Sequence, residues 1–156
     1  MATHSPQSVD LARRVSDIVA RLRARGHRLT PQRYAVVRAL VEGGEHPSAE
    51  QLFQRVTDAY PMMSPATVYK TLDTLKAAGE VLEIEFREGP NRYDATMPTP
   101  HPHAVCTACG RIDDVAMDRL DAAMDEAAAQ TAYRVTAYRL DFYGLCPSCA
   151  TDHQPR

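Results

Sequence analysis

All four cysteines of the chain stand in two Cys-x-x-Cys pairs at residues 106–109 and 146–149. A two-residue spacer lets both sulfur atoms of a pair turn toward one ion, and two pairs complete a tetrahedral zinc site. Gly110 follows the first pair and supplies the backbone freedom for a tight turn. Four protein ligands leave no open position for a substrate. The spacing therefore predicts a structural Zn²⁺ bound by Cys106, Cys109, Cys146 and Cys149.

A second set of candidate ligands combines histidine with aspartate. His101 and His103 are two residues apart, so on a strand both imidazoles face the same side. Asp94 precedes them, Asp114 follows the first cysteine pair, and His46 lies far upstream. Such a nitrogen and oxygen set suits Fe²⁺, Mn²⁺, Co²⁺, Ni²⁺ or Zn²⁺ without selecting strongly among them. The alternative is that the two histidines are surface residues beside a zinc knuckle.

Charge divides the 156-residue chain into two unlike parts. The formal net charge is −2, yet residues 1–92 carry 13 Lys+Arg against 11 Asp+Glu and residues 93–156 carry 5 against 9. A globally basic coat is excluded, whereas a local basic patch is not. No apolar run is long enough for a transmembrane helix, and the first residues lack the features of a secretory signal. A cytoplasmic location is expected, where paired cysteines favour a metal over disulfides.

The N-terminal part has the apolar periodicity of four amphipathic helices. The predicted helix starts are Thr30-Pro31, a Ser48 and Gln51 capping box, and Ser64-Pro65. Gly79 is placed to end the fourth helix. Alternating residues at 82–86 and 92–95, separated by a turn at 88–91, then predict a β-hairpin. Helices followed by a hairpin describe a winged helix-turn-helix.

A winged helix of this kind predicts DNA binding, with residues 61–72 forming the recognition helix. Its N-terminal end enters the major groove, where Tyr69 can pack against a thymine methyl group. Polar neighbours can reach phosphates or base edges, and two arginines flank the start of the second helix. A solvated helix without a nucleic-acid partner is the alternative. The candidate DNA-binding residues are Arg28, Arg33, Ser64, Thr67, Tyr69 and Lys70.

The C-terminal part reads as a small module of mixed strands and one helix. Strands are expected at 103–105, 111–116 and 133–142, with a helix near 117–131. The proline-rich stretch before them reads as a hinge. We therefore expect an α+β protein with a DNA-binding domain over 1–92, a hinge over 93–100 and a metal-binding domain over 101–156.

Six segments of the chain, taken together, resemble the ferric uptake regulator (Fur) family. They follow the family order and cover nearly the whole chain after residue 10. The resemblance implies a dimeric, metal-activated transcriptional repressor with a C-terminal dimerisation domain. The segments are RLTPQR at 28–33, HPSAE at 46–50, SPATVYKTL at 64–72, RYD at 92–94, HPHAVCTACG at 101–110 and YGLCPSC at 143–149.

Within that family the chain is most similar to the peroxide-sensing PerR branch, which uses three histidines and two aspartates at its regulatory metal. Iron-sensing members have Glu at the position of Asp114 and a further His at Tyr138, and zinc-sensing members have Cys at Asp94. Pro100 and Pro102 depart from the pattern by flanking the first histidine. The resemblance implies a regulatory Fe²⁺ or Mn²⁺ bound by His46, Asp94, His101, His103 and Asp114.

These ligands come from both sides of the expected hinge, so a bound ion would fix the angle between the domains. In a homodimer that angle sets the spacing of two recognition helices on an AT-rich inverted repeat of double-stranded DNA. The resemblance also implies that, with Fe²⁺ bound, peroxide oxidises His46 or His101 and releases the DNA.

Other functions remain open at this point. The alternative within the family is an iron- or manganese-responsive repressor, and a manganese-responsive one would share the same ligands. Outside the class of regulators stand a structural zinc-binding adaptor and an enzyme, such as a metal-dependent hydrolase or a thiol oxidoreductase. We expect no enzyme, because the cysteine site is saturated, no additional general base stands beside the histidines and aspartates, and the βαβ pattern of a thiol oxidoreductase is missing.

Overall fold

The computed structural model describes residues 10–44, 46–86 and 89–152. The chain divides into two compact units, residues 1–99 and 100–156. Unit 1 contains four helices and a two-stranded hairpin, and unit 2 contains a three-stranded sheet and two helices. This confirms the expected α+β class. The elements are α1 (Leu11–Ala24), α2 (Pro31–Glu42), α3 (Ala49–Thr57), α4 (Pro65–Ala77), β1 (Leu82–Ile84), β2 (Arg92–Asp94), β3 (His103–Cys106), β4 (Ile112–Asp114), α5 (Leu120–Ala129), β5 (Asp141–Gly144) and α6 (Pro147–Asp152).

The core of unit 1 consists of the apolar stripes of α1 to α4. Ile18, Val37, Leu52, Val68 and Leu75 are all fully buried in one cluster. Burying apolar side chains of this size contributes about 2 kcal/mol each, which is why the helical periodicity predicted these elements. Among the described residues no helix is both long and apolar enough to cross a membrane.

Capping side chains explain where α2 and α3 begin, and a proline marks the start of α4. Thr30 accepts a hydrogen bond from the backbone N–H of Arg33, and Ser48 and Gln51 form the predicted reciprocal capping box. The predicted side-chain cap at Ser64 is wrong, because its hydroxyl makes no capping bond and lies 3.2 Å from Thr67 Oγ1. Pro65 removes one of the N–H groups that would need a cap.

The wing hairpin pairs β1 with β2 antiparallel, so that Leu82 stands opposite Asp94. Residues 87 and 88, in and before the expected turn, lie outside the described part of the chain. The backbone N–H of Tyr93 donates to the carbonyl of Pro47 at 3.0 Å, and Arg92 Nη1 donates to the carbonyl of His46 at 3.1 Å. These bonds attach β2 to the segment before α3, and that attachment positions a predicted ligand.

The sheet of unit 2 has the order β4-β3-β5. β3 pairs antiparallel with β4 and parallel with β5, which leaves β3 in the centre. The expected strand over 133–142 is wrong in extent: only its last two residues join the ladder, which continues to Gly144. The aromatic and β-branched side chains there that predicted a strand are largely exposed, as at Tyr133 and Val135. The six-residue helix α6 follows Cys146 and was not anticipated.

Candidate metal centres and nucleic-acid interface

The four cysteine sulfur atoms converge in unit 2, all within 4.8 Å of one another. Cys106 ends β3, Cys146 follows β5 and Cys149 lies in α6, so the parallel pairing of β3 with β5 brings the two pairs together. Gly110 adopts φ +73° and donates its N–H to the carbonyl of Cys106, which closes the predicted turn.

The cysteine cluster fits a tetrahedral Zn²⁺. Cys109 Sγ lies 3.8 Å from Cys146 Sγ, and a tetrahedron with Zn–S bonds of about 2.3 Å requires a separation of about 3.8 Å. The backbone N–H of Cys146 donates to Cys106 Sγ at 3.3 Å, and this bond with others like it lowers the pKa of the Cys106 thiol to about 6. Hydrogen bonds with Cys146 and Cys109 raise the pKa of Cys149 to about 12. Without a cation only part of the cluster ionises, so metal binding would release protons.

In unit 1, His46 and Asp94 meet through the attachment of β2 to the segment before α3. His46 Nε2 lies 3.8 Å from Asp94 Oδ2, and both side chains are buried. Asp94 Oδ1 accepts hydrogen bonds from the backbone N–H and the hydroxyl of Thr96, both at 2.7 Å. One carboxylate oxygen is therefore fixed by the chain that follows β2, and the other is directed toward the imidazole.

In unit 2, the sheet places His103 directly opposite Asp114 of β4. Residues opposite each other on neighbouring strands share a face, so the choice between Asp113 and Asp114 is decided by register. Asp114 Oδ1 lies 3.0 Å from His101 Nε2 and 3.9 Å from His103 Nε2. Asp113 stands opposite Ala104 and pairs with Arg111 instead. Two imidazoles and one carboxylate form a common donor set for Fe²⁺.

A further carboxylate, which the sequence analysis did not identify, also faces His103. Asp141 of β5 is its register partner on the other side, and Asp141 Oδ1 lies 3.6 Å from His103 Nδ1. The one feature of the sequence that points to Asp141 is the presence of an acidic residue within a predicted strand that is otherwise rich in aromatic residues. Its relation to His103 depends on a parallel pairing between strands far apart in sequence, which no local pattern reveals.

A concave surface of about 460 Å³, here called the basic groove, lies between the start of α2 and the start of α4. Arg33 Nη1 donates to the carbonyl of Arg28 at 3.0 Å, which holds the two arginines together at one end. Five of the six predicted DNA-binding residues line the groove, together with four that were not predicted to bind DNA. The predicted ones are Arg28, Arg33, Ser64, Thr67 and Lys70, and the others are Thr30, Gln32, Met62 and Met63.

Tyr69, the sixth predicted DNA-binding residue, does not line the basic groove. Its half-exposed ring extends from α4, and its hydroxyl donates to Glu50 Oε1 of α3 at 2.8 Å. This bond lowers the pKa of Glu50 and raises the pKa of Tyr69. The phenol is therefore held at one position on the exposed side of α4.

The chain is similar in sequence and in fold to known proteins. Residues 24–143 match the Ferric uptake regulator family, and the peroxide operon regulator of Bacillus subtilis is 34% identical over 139 residues, 89% of this chain and 95% of that protein. The chain belongs to the ferric uptake regulator family. As a Fur-family protein it is also similar to the solved structure of GAS PerR-Zn-Zn, with 33% identity, a TM-score of 0.51, and coverage of 99% and 98% of the two chains.

The fold of this Fur-family chain is similar to that of the Helicobacter pylori ferric uptake regulator. The TM-score is 0.74 at 21% identity, over 90% of this chain and 93% of that one. The family match and the identity to the Bacillus subtilis regulator confirm the predicted family, and relatives at about a third identity are named as a peroxide operon regulator and a peroxide-responsive repressor.

Proposed function

We propose that this chain is a metal-dependent DNA-binding repressor of the PerR type that acts in the cytoplasm. The observation that carries the proposal is the division of the predicted ligands between the units. Unit 1 pairs a buried His46 with a buried Asp94, and unit 2 groups His101, His103 and Asp114 on one face of its sheet. Each group supplies fewer donors than the six-coordinate shell typical of Mn²⁺.

The regulatory ion, Fe²⁺ or Mn²⁺, is bound by all five residues in this proposal. Ligands from both units then make the geometry of the DNA-binding unit dependent on the ion. Metal and DNA each stabilise the same conformation, so each raises the affinity for the other by the same factor. The zinc bound by the four cysteines has a separate, structural role, since its ligand shell is complete.

The functional unit in this proposal is a homodimer formed through unit 2. Strand β5 is an edge of its sheet, and Phe142, Tyr143 and Leu145 are exposed along and just beyond it. An edge strand with apolar side chains is a template for pairing with another chain. A second copy covers this edge and gives the assembly the twofold symmetry that an inverted repeat requires.

DNA binding is assigned to the basic groove and to Tyr69. The groove presents Arg28, Arg33 and Lys70 for phosphates, and α4 presents its N-terminal end for the major groove. The acidic composition of residues 93–156 does not oppose this, because the three basic side chains that line the groove all belong to residues 1–92, whose net charge is positive.

The proposal is tested by selecting duplexes from a random library with the zinc-containing protein. With Mn²⁺ added, AT-rich inverted repeats are expected to be enriched, and without Mn²⁺ or Fe²⁺ none should be. Enrichment in neither condition would favour a zinc-binding adaptor. Equal enrichment in both conditions would contradict metal control.

The assignment to the peroxide-sensing branch rests on the two aspartates and on the relatives named for peroxide response. Fe²⁺ held by these residues would activate peroxide next to a ligand imidazole. His46 or His101 would lose two electrons to the peroxide and gain one of its oxygen atoms, and the other oxygen would leave as water. A modified imidazole is a poorer metal ligand, so the protein loses the metal and its affinity for DNA falls. Each protein molecule reacts in this way once, in contrast to the repeated turnover of an enzyme.

Mass spectrometry after peroxide treatment distinguishes this sensor from an iron- or manganese-responsive repressor. The Fe²⁺-loaded protein is expected to gain one oxygen on a peptide containing His46 or His101, whereas the Mn²⁺-loaded protein should not. Unmodified histidines in both forms, with DNA binding set by metal concentration alone, would support a metal-responsive repressor instead.

A further inference from the structure

His103 is the one ring in the described sheet with a carboxylate on each side. It lies on the central strand β3, with Asp114 as its register partner on β4 and Asp141 as its register partner on β5. Directly opposed residues share a face of the sheet, so both carboxylates lie on the same face as the imidazole. The His103 side chain itself is 5% exposed, which excludes bulk water as its main environment.

The two nitrogen atoms of this ring face different carboxylates. His103 Nε2 lies 3.9 Å from Asp114 Oδ1, the oxygen that also contacts His101 Nε2, whereas Nδ1 lies 3.6 Å from Asp141 Oδ1. A neutral imidazole that binds an ion through one nitrogen carries its proton on the other. Because Nε2 faces the other predicted ligands, the proton belongs on Nδ1, and Asp141 is the group in front of it.

Asp141 is placed to accept a hydrogen bond from His103. One of its carboxylate oxygens already accepts a hydrogen bond from Arg139, and the other is directed at the His103 imidazole. Arg139 Nε donates to Oδ2 at 2.5 Å, and the Tyr143 hydroxyl lies 3.5 Å from the same oxygen. Oδ1 is buried and accepts no hydrogen bond within the described part of the chain. Buried carboxylate oxygens are normally hydrogen-bonded. The separation of 3.6 Å is about 0.6 Å longer than such a bond, a distance that a side-chain rotation covers.

We propose that Asp141 is a positioning residue of the regulatory metal site: it accepts a hydrogen bond from Nδ1–H of His103 and so makes Nε2 the metal-binding atom. This inference rests on the proposed function, because it assumes that His103 is a ligand. Asp141 is not itself a ligand here. It acts through the imidazole, in the way that carboxylates behind metal-binding histidines fix the tautomer and orientation of the ring.

Metal affinity gives the first test. Calorimetric titration of the zinc-containing protein with Mn²⁺ compares the wild type with Asp141→Asn, Asp113→Asn and His103→Ala. Asp113 is the matched control, because it pairs with Arg111 two residues earlier, as Asp141 pairs with Arg139, but stands opposite Ala104. Asp141→Asn should weaken Mn²⁺ binding by about 10- to 100-fold. Asp113→Asn should leave it unchanged, and equal effects of the two substitutions would overturn the proposal.

The tautomer of His103 gives a second test that a general loss of packing would not mimic. Proton–nitrogen correlation spectra of the ring, recorded on protein that retains zinc and holds no Mn²⁺, report which nitrogen carries the proton. The wild type should carry it on Nδ1, and Asp141→Asn should shift the population toward Nε2. A wild-type ring protonated on Nε2 would overturn the proposal, even if the variant failed to fold.

The same titrations separate this inference from the proposed function. If His103→Ala leaves Mn²⁺ affinity unchanged, the regulatory site itself is wrongly assigned. If His103→Ala weakens binding and Asp141→Asn does not, the metal site stands and the role of Asp141 is wrong.

Discussion

Cys146 contributes to the cysteine cluster in two ways, through its sulfur and through its backbone N–H, which donates to Cys106 Sγ. Its own sulfur lies 3.8 Å from that of Cys109. Both contacts follow from the position of Cys146 two residues after the end of β5. A single residue therefore connects the end of one strand to the turn that follows another.

The substitution Cys146→Ser is expected to abolish zinc binding. Unit 2 should then no longer show a cooperative unfolding transition. A chain segment of fewer than about 60 residues has a marginal core, so metal binding supplies much of its folding free energy. Zinc content by mass spectrometry and calorimetric unfolding measure the result. Ser148→Ala, within the same Cys-x-x-Cys pair, is the control and should retain zinc. A well-folded wild type purified without zinc would contradict the structural role.

At the scale of elements, one buried carboxylate links helix α1 to later segments of unit 1, in addition to the apolar packing of α1 in the core. Arg14 Nη1 and Arg21 Nε donate to the two oxygens of Glu80, at 3.0 and 2.5 Å, and Arg14 Nε donates to the carbonyl of Ala95 at 2.7 Å. The Glu80 side chain is only 5% exposed. The ion-paired network therefore connects α1 to the segments that follow α4 and β2.

Glu80→Gln is expected to lower the free energy of unfolding of unit 1 by about 3 kcal/mol, because it leaves the guanidinium of Arg14 buried beside a neutral group. Glu42→Gln is the matched control, since Glu42 pairs with Arg38 at an exposed position. An exposed pair of this kind contributes about 0.5 kcal/mol or less. Denaturant unfolding measures both, and equal losses would contradict the role given to Glu80.

The same carboxylate predicts part of the pH dependence. Burial acts to raise the pKa of Glu80, but hydrogen bonds from Arg21 and Arg14 outweigh it, so the folded pKa lies below the ordinary value of 4.5. The stabilisation is complete above the unfolded pKa and is lost as pH falls through the folded pKa. In denaturant melts from pH 6 downward, Glu80→Gln should lose stability less steeply than wild type below about pH 4.5.

The recognition element gives a prediction about salt. Lys70 lines the basic groove, whereas Lys76, farther along α4, forms an ion pair with Glu83. Lys70→Ala should weaken binding to a duplex selected with Mn²⁺. In a plot of the logarithm of affinity against the logarithm of salt concentration, it should also make the slope shallower by about one unit for each phosphate contact removed. Lys76→Ala should leave that slope unchanged. Fluorescence anisotropy over a salt series measures both.

Local pattern predicts the four helices of unit 1 because each of them buries a periodic apolar stripe. Val68, Leu72 and Leu75 recur at helical spacing and are all buried. The local sequence pattern does not predict the strand boundaries that depend on pairing between segments far apart in the chain. The strand at 133–142 was placed too early, since only pairing with β3 determines that the ladder begins at Asp141. Asp141 was missed for the same reason.

At the scale of the whole molecule, a net charge of −2 conceals two parts of different composition. Most of the basic side chains stand in the part that carries the winged helix, and the acidic residues of the other part include carboxylates suited to a cation. The division into 1–92, 93–100 and 101–156 remains a prediction. The proposed dependence of DNA binding on metal requires that both parts contribute ligands.

The most direct test of that dependence compares Asp114→Ala with Asp113→Ala in the zinc-containing protein. Binding to a duplex selected with Mn²⁺ is measured by fluorescence anisotropy with and without Mn²⁺. Asp114→Ala is expected to lower the affinity measured with Mn²⁺ to the value measured without it. Asp113→Ala should keep the wild-type response. Undiminished Mn²⁺-dependent binding by Asp114→Ala would contradict the account.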